Sequence, residues 1–276
     1  MKRLTLLSIL LLSIAIAPLA QVIRPIAGSY MLQFGSSQLE DTYLTPLKYK
    51  GTRFGLACEC SQAMKFSPEN WIMRFDLDLN FAYDKNPAKT ATMVDLFLTA
   101  DWNMMRRWRL PYSLSAGVGG GPQLTVGALY RISSGNNPVS AKVSATLNAT
   151  GFVAWNCKLG RLPITLRYQA TLPVIGAFFS PDYGELYYQI YLGDRKRLVH
   201  PAVWGKYFFL DNLVTADLHL GNVSLRLGYR GRIFSSKVSG IISNDFSHSL
   251  VIGVTTDWIT LGQRSTAPQG EIIRAY

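Results

Sequence analysis

Trp71-Ile72-Met73-Arg74-Phe75-Asp76-Leu77-Asp78-Leu79-Asn80-Phe81-Ala82-Tyr83 decides how the rest of the chain is read. Odd positions hold Trp, Met, Phe, Leu, Leu, Phe and Tyr, and even positions hold Ile, Arg, Asp, Asp, Asn and Ala. Side chains alternate between the two faces of a strand, so this is one strand with an apolar wall and an ionic wall. A helix would scatter Arg74, Asp76 and Asp78 around its circumference. The run exceeds the roughly 5–6 residues of an ordinary strand and suffices for the roughly 9–11 that cross a bilayer obliquely. Its aromatics sit towards both ends, as interfacial girdles do. The expectation is a transmembrane strand with lipid on the odd face and a barrel interior on the even face.

A soluble sandwich or lipocalin-like barrel alternates too, with its apolar face inward. Composition separates the two. Charged residues are 16% of the chain and hydrophobic residues 48%, against about 25% charged in ordinary soluble domains. No apolar run of roughly 20 residues lies beyond the N-terminus. A barrel reconciles these facts by dispersing apolar residues over alternate positions.

Residues 1–20 have the layout of a secretory signal peptide: Lys2-Arg3, an apolar core, then Pro18-Leu19-Ala20. Cleavage after Ala20 would leave 21–276 as a single barrel domain. The formal net charge of +11 falls to +9 without Lys2 and Arg3, which suits anionic lipid or lipopolysaccharide. An exported chain is a poor partner for nucleic acid. Cys58, Cys60 and Cys157 make neither a disulfide framework nor a zinc pattern, and no metal or cofactor is expected.

The same alternation marks strands over 29–34, 52–63, 91–104, from 112 towards 130, 141–157, 162–172, up to 220, 223–234 and 248–261. An antiparallel up-and-down barrel of about ten strands follows, with twelve possible. Gly221-Asn222 reads as a two-residue hairpin turn. Connections 64–70, 104–111, 158–161 and 221–222 are short, and 35–51, 84–90, 131–140, 173–204 and 235–247 are longer. Such parity belongs to outer-membrane barrels with short periplasmic turns. The glycine run 117–121 lacks a following helix, which favours a bulge or a close internal approach over a nucleotide loop.

Several segments carry a family resemblance: Leu44-Thr45-Pro46-Leu47-Lys48-Tyr49-Lys50-Gly51, Asn136-Asn137-Pro138-Val139-Ser140, Phe178-Phe179-Ser180-Pro181-Asp182-Tyr183-Gly184, Asn212-Leu213-Val214-Thr215-Ala216-Asp217-Leu218-His219 and Leu225-Arg226-Leu227-Gly228-Tyr229-Arg230-Gly231. The chain resembles an uncharacterised exported family of Bacteroidetes-type bacteria, a domain of unknown function. The resemblance implies an envelope barrel placed in the bacterial outer membrane by the barrel assembly machinery. It supplies no activity.

Inward positions include Arg53, Glu59, Arg74, Asp76, Asp78, Asp95, Asp101, Arg167, Asp217, Arg226, Arg230, Arg232 and Asp257. Small barrels have interiors filled by side chains, so these charges are expected to pair and plug the lumen. Across the 221–222 turn His219 faces Ser224, a weak candidate base and nucleophile for a lipid hydrolase. Asp217 faces Arg226 instead of completing a triad. A narrow transport channel is the other alternative. In the long loop Tyr183, Tyr187, Tyr188, Arg195, Lys196, Arg197 and Trp204 are candidates for binding a glycan, lipopolysaccharide or an envelope protein. The competing expectation there is a hairpin folded over the barrel mouth. Arg106, Arg107 and Arg109 around Trp108 are expected to meet phospholipid headgroups.

Overall fold

Alternation runs through ten long strands that close on one another in a computed structural model describing residues 22–135, 137–193, 197–221, 223–259 and 272–276. These are β1 (Ile26–Asp41), β2 (Thr45–Ala63), β3 (Trp71–Lys85), β4 (Thr92–Leu110), β5 (Leu114–Arg131), β6 (Val139–Leu159), β7 (Leu162–Phe179), β9 (Tyr207–His219), β10 (Val223–Val238) and β11 (Ile241–Trp258). Between β7 and β9 lie a short helix α1 (Tyr187–Tyr191) and a three-residue strand β8 (Val199–Pro201) that pairs with the end of β7. Every long strand is antiparallel to its sequence neighbour, β7 joins β9, and β1 pairs with β11 over the whole of β1. The result is a closed antiparallel ten-stranded barrel, in which β7 and β9 pair over Ile164–Thr171 and the loop-end stretch of β7 pairs with β8 instead; closure removes most of the template for edge-to-edge aggregation.

The strands run from 13 to 21 residues, well beyond the alternating cores that mark them in sequence. Two connections expected to be long are therefore wall. Residues 35–41 and 45–51 belong to β1 and β2, joined by a tight turn at 42–44. Residues 235–238 and 241–247 likewise belong to β10 and β11. Near this end the outward face turns polar, so alternation fades while pairing continues; Glu40 opposes Lys48 and Asn244, for example. The expected parity of short and long connections is correspondingly weak. Only 180–206 is long.

The glycine run is not a bulge. Residues 117–121 keep an unbroken register with β6. The pairing with β4 lapses only opposite Gly121 and Pro122, where proline has no N–H to give. Close approach is the reason for glycine here: a Cβ on Gly119 would stand 2.0 Å from the Met104 carbonyl oxygen, and one on Gly117 2.2 Å from the Phe152 ring. A register shift does occur in β6 between Leu147 and Asn148, against β7.

Apolar packing is split into small clusters. Leu39, Tyr49, Ala91, Met93 and Leu129 pack at the end carrying the 180–206 loop, here the loop end, as do Phe178, Ala202 and Tyr207. Met31, Ala57, Leu213 and Val251 meet midway. At the opposite, tail end, Ile72, Met105, Phe152 and Ala154 pack on Ala275. Residues 272–276 thus enter the barrel mouth, and the Ile273 N–H donates to the Ile23 carbonyl at 2.9 Å.

Candidate functional site

Polar residues occupy the inward positions between these clusters, and burial forces each charge to find a partner. At the tail end Glu59 on β2 accepts from Arg167 on β7 at 2.6 Å and from Arg226 on β10 at 3.2 Å. Arg226 also grips Asp217 through Nε and Nη2 at 2.6 and 2.8 Å, a two-point clasp across the β9–β10 hairpin. Arg74, 1% exposed, forms an ion pair with Asp76 at 2.5 Å and donates to Asp101 at 3.2 Å. Midway, Arg230 and Arg232 share Asp78 and Asp211, while Gln33 and Asn80 add hydrogen bonds to Asp78. Towards the loop end Arg53 bridges Asp95 and Asp245, both at 2.7 Å. Strands far apart in sequence are stitched through the lumen by these pairs.

Asp211 and Asp245 did not stand out in the sequence. Asp245 fell in a presumed loop, and Asp211 lies in a strand whose start had no clear alternation. Two further polar anchors appear at the loop end: Asp41 pairs with Lys142 at 2.6 Å, and Asp84 accepts from Ser37 at 2.7 Å. Asp257, expected inside, lies at the rim and pairs with Arg274 at 2.9 Å.

Arg107 also departs from expectation. It is buried and turns into the tail-end mouth, where it donates to the carbonyls of Pro68, Glu69, Arg274 and Ala275. Arg106 does point outward, with its guanidinium 5.7 Å from the Trp108 ring, and Arg109 is exposed. The tail is pinned further by Tyr276, whose ring lies 4.8 Å beneath the Arg167 guanidinium and 5.2 Å edge-on to Phe152.

His219 and Ser224 are brought together in the register that the turn dictates. His219 Nδ1 lies 2.7 Å from Ser224 Oγ, and Nε2 lies 2.8 Å from Thr165 Oγ1. Thr165 in turn donates to Asn156 at 2.6 Å. The second ring nitrogen meets a hydroxyl where a hydrolase would use a carboxylate to orient the base. Asp217 is committed to Arg226.

In the long loop Tyr187 is half-buried, takes the Ala141 N–H at 2.7 Å and packs edge-on to Tyr43. Burial pushes its phenol up to about 12. Tyr43 reaches the Glu185 carbonyl at 2.7 Å, so this part is folded over the barrel mouth. Tyr183, Tyr188 and Tyr191 are exposed; Trp204 is exposed too, though its indole N–H donates to the Pro173 carbonyl at 2.7 Å. Arg197 is exposed, 4.0 Å from Asp182. Arg195 and Lys196 lie outside the described residues, as does the leader expected at 1–20. Beneath the loop is a cavity of about 80 Å³. Phe97, Phe178, Phe209 and Phe234 line it together with Arg53, Arg232 and Asp245.

Residues 3–265 match a family described as "Protein of unknown function (DUF3316)". The chain belongs to that family. No curated protein matches this DUF3316 member. Among solved structures it is similar to the translocator domain of the autotransporter NalP from Neisseria meningitidis, at 12% identity and a TM-score of 0.36, covering 92% of this chain and 95% of that one. Neisserial surface protein A is similar at 11% identity and TM-score 0.28, over 81% and 96% of the two chains. The TodX monoaromatic hydrocarbon channel, in a deltaS2 mutant, is similar at 7% and 0.24, over 85% and 90%. For the DUF3316 member the functional reading rests on its own geometry.

Proposed function

We propose that the chain is an exported β-barrel of the bacterial outer membrane, with a plugged lumen, whose loop end shapes or binds the envelope surface. One observation carries this reading. The outward wall is apolar around the whole barrel while the inside is ionic: Leu32, Leu56 and Leu250 are 63%, 55% and 64% exposed, whereas Arg74 and Glu59 are each 1% exposed. A water-soluble protein rarely exposes a contiguous apolar patch beyond a few hundred Å²; hydrocarbon is the solvent that accepts this belt. The ring closes through β1–β11 and through β7–β9 over Ile164–Thr171, which satisfies the backbone internally along the belt, as a bilayer demands. The segment resemblance supports a Bacteroidetes-type source and delivery by the barrel assembly machinery.

The plug and the loop divide the roles. Tail residues 272–276 fill one mouth, and the ion pairs fill the middle, so a rigid, non-conducting body is the natural product. Exposed Tyr183, Tyr188, Tyr191 and Leu192 at the loop end offer a surface to a glycan or an envelope protein. The test is recovery of the purified chain. It should float with phosphatidylcholine vesicles, show heat-modifiable migration on gels and conduct no unitary current. A chain that stays dispersed without lipid or detergent would sink the reading. A membrane-lipid hydrolase is the second reading, favoured by the 2.7 Å contact of His219 with Ser224; lipid hydrolysis lost in both Ser224→Ala and His219→Ala would establish it.

A further inference from the structure

Just above the apolar belt at the loop end, the outward faces of β2 and β3 turn basic. Lys48 and Lys50 follow Phe54 and Thr52 up β2, Lys85 follows Tyr83 up β3, and Lys89 stands in the next turn. Lys50 and Lys85 are directly opposed in the register, which places their Cβ atoms roughly 4.5–5.5 Å apart and is a destabilising arrangement for like charges. The acidic groups nearby do not relieve it. Glu40 faces Lys48 at 3.8 Å and also accepts from Asn244. Asp84 is fully buried on the inward face and bonded to Ser37. Among the described residues no carboxylate pairs with Lys50, Lys85 or Lys89. These side chains, with Tyr83 and Asn86, line an outward groove of about 550 Å³.

We infer that this groove is a binding site for a lipid bearing a phosphate monoester, held with its acyl chains along the belt and its phosphate between Lys50, Lys85 and Lys89. The inference rests on the membrane reading above and deepens it. Three ammonium groups without a carboxylate call for more than one negative charge, and a phosphate monoester carries about −1.5 to −2 at neutral pH. Position selects a lipid over a free anion. Phe54, Phe81 and Tyr83 are 49%, 42% and 43% exposed immediately below the lysines, where an aromatic girdle marks the headgroup boundary. Lys85 Nζ, 5.7 Å from the Tyr83 ring centroid, already bridges the two zones. A phosphate seated there would turn an unfavourable opposed pair into a two-sided clamp.

The test uses the full chain in nonionic detergent and in phosphatidylcholine vesicles, with native mass spectrometry and thermal unfolding as readouts. Phosphatidic acid and a phosphorylated glucosamine lipid should be retained and should raise Tm. The same lipids stripped of phosphate should not. Each lysine near a charged lipid surface is worth about 1 kcal/mol, so Lys50→Gln with Lys85→Gln should weaken retention by about thirtyfold. Lys65→Gln with Lys158→Gln, at the other end, should leave it unchanged. In lipid-free detergent Lys85→Glu should raise Tm while abolishing retention, because it replaces an opposed like pair with an opposite one.

Retention unchanged in the Lys50/Lys85 double variant would overturn the inference. So would equal loss in the Lys65/Lys158 control, or inorganic phosphate binding as tightly as the lipid. Flotation with plain phosphatidylcholine vesicles is the separate arm. A chain that does not float removes the membrane reading itself, whereas one that floats without phosphate selectivity removes only this site.

Discussion

The two ends of the barrel close by different means. At the tail end the chain seals itself. Residues 272–276 enter the mouth, Arg107 ties their carbonyls to the 64–70 turn, and Glu59 binds two guanidiniums directly beneath. At the loop end the seal is a folded lid over a cavity, with ion pairs set around its wall and exposed aromatics above. Both ends hold apolar clusters, but only the tail end is filled by the chain's own residues. Among the described residues Arg167 at the tail end has Glu59 as its one carboxylate, whereas Arg53 at the loop end has two, so the first pairing should be expensive to disturb and the second forgiving.

The sharpest way to break that contrast is Glu59→Ala. It leaves Arg167 and Arg226 buried, with one of them stripped of its carboxylate, and removal of one member of a buried ion pair costs about 3–5 kcal/mol. Asp245→Asn at the other end should cost much less, because Arg53 retains Asp95 at 2.7 Å. Urea unfolding in detergent micelles compares the two; equal losses would erase the distinction between the ends. Next in size is Tyr276→Ala. Losing an aromatic anchor against Phe152 and the contact with Arg167 should cost about 3 kcal/mol. If unfolding is unmoved, the tail is an ornament on the mouth.

How far this contrast could be seen in the sequence follows from where alternation is strong. Inside the belt each strand has one apolar and one polar face, so Arg74, Asp78, Arg167 and Arg226 were legible as inward, and Gly221-Asn222 fixed the β9–β10 register that opposes Asp217 to Arg226. Beyond the belt the outward face meets polar surroundings and loses its apolar residues, while a few apolar residues such as Leu39 and Tyr49 point inward. The wall at 35–41, 45–51, 235–238 and 241–247 therefore read as loop, and Asp245 was lost with it. Arg107 looked like a rim cation because its partners are carbonyls of 68–69 and 274–275, contacts that no local pattern announces. The lysine groove was hidden for a related reason: Lys50 and Lys85 are neighbours only through strand register.

Ser224→Ala probes a place where the tail end resembles a site. The hydroxyl–imidazole–hydroxyl chain through Thr165 is a structural relay in the present reading, so the variant should lose about 1 kcal/mol, the net worth of a typical hydrogen bond. Lipid turnover should not change. Turnover that vanishes with Ser224 would turn the packed end into the functional one.

The smallest effect belongs to the lid and is read by pH. Burial against Tyr43 and Phe179 lifts the Tyr187 phenol to about 12, from the ordinary 10.0. Between those values the opened lid releases a proton that the closed lid holds, so rising pH favours opening in that window and has no effect below it. Tyr187→Phe should remove this dependence. At neutral pH it also forfeits the hydrogen bond from the Ala141 N–H, making the lid easier to cleave with protease by a factor set by about 0.5–1.5 kcal/mol. Tyrosinate absorbance of the variant subtracted from that of the parent isolates the one phenol. If it ionises at the ordinary value of 10.0, the lid is not packed on the mouth, and the loop end is open rather than merely soft.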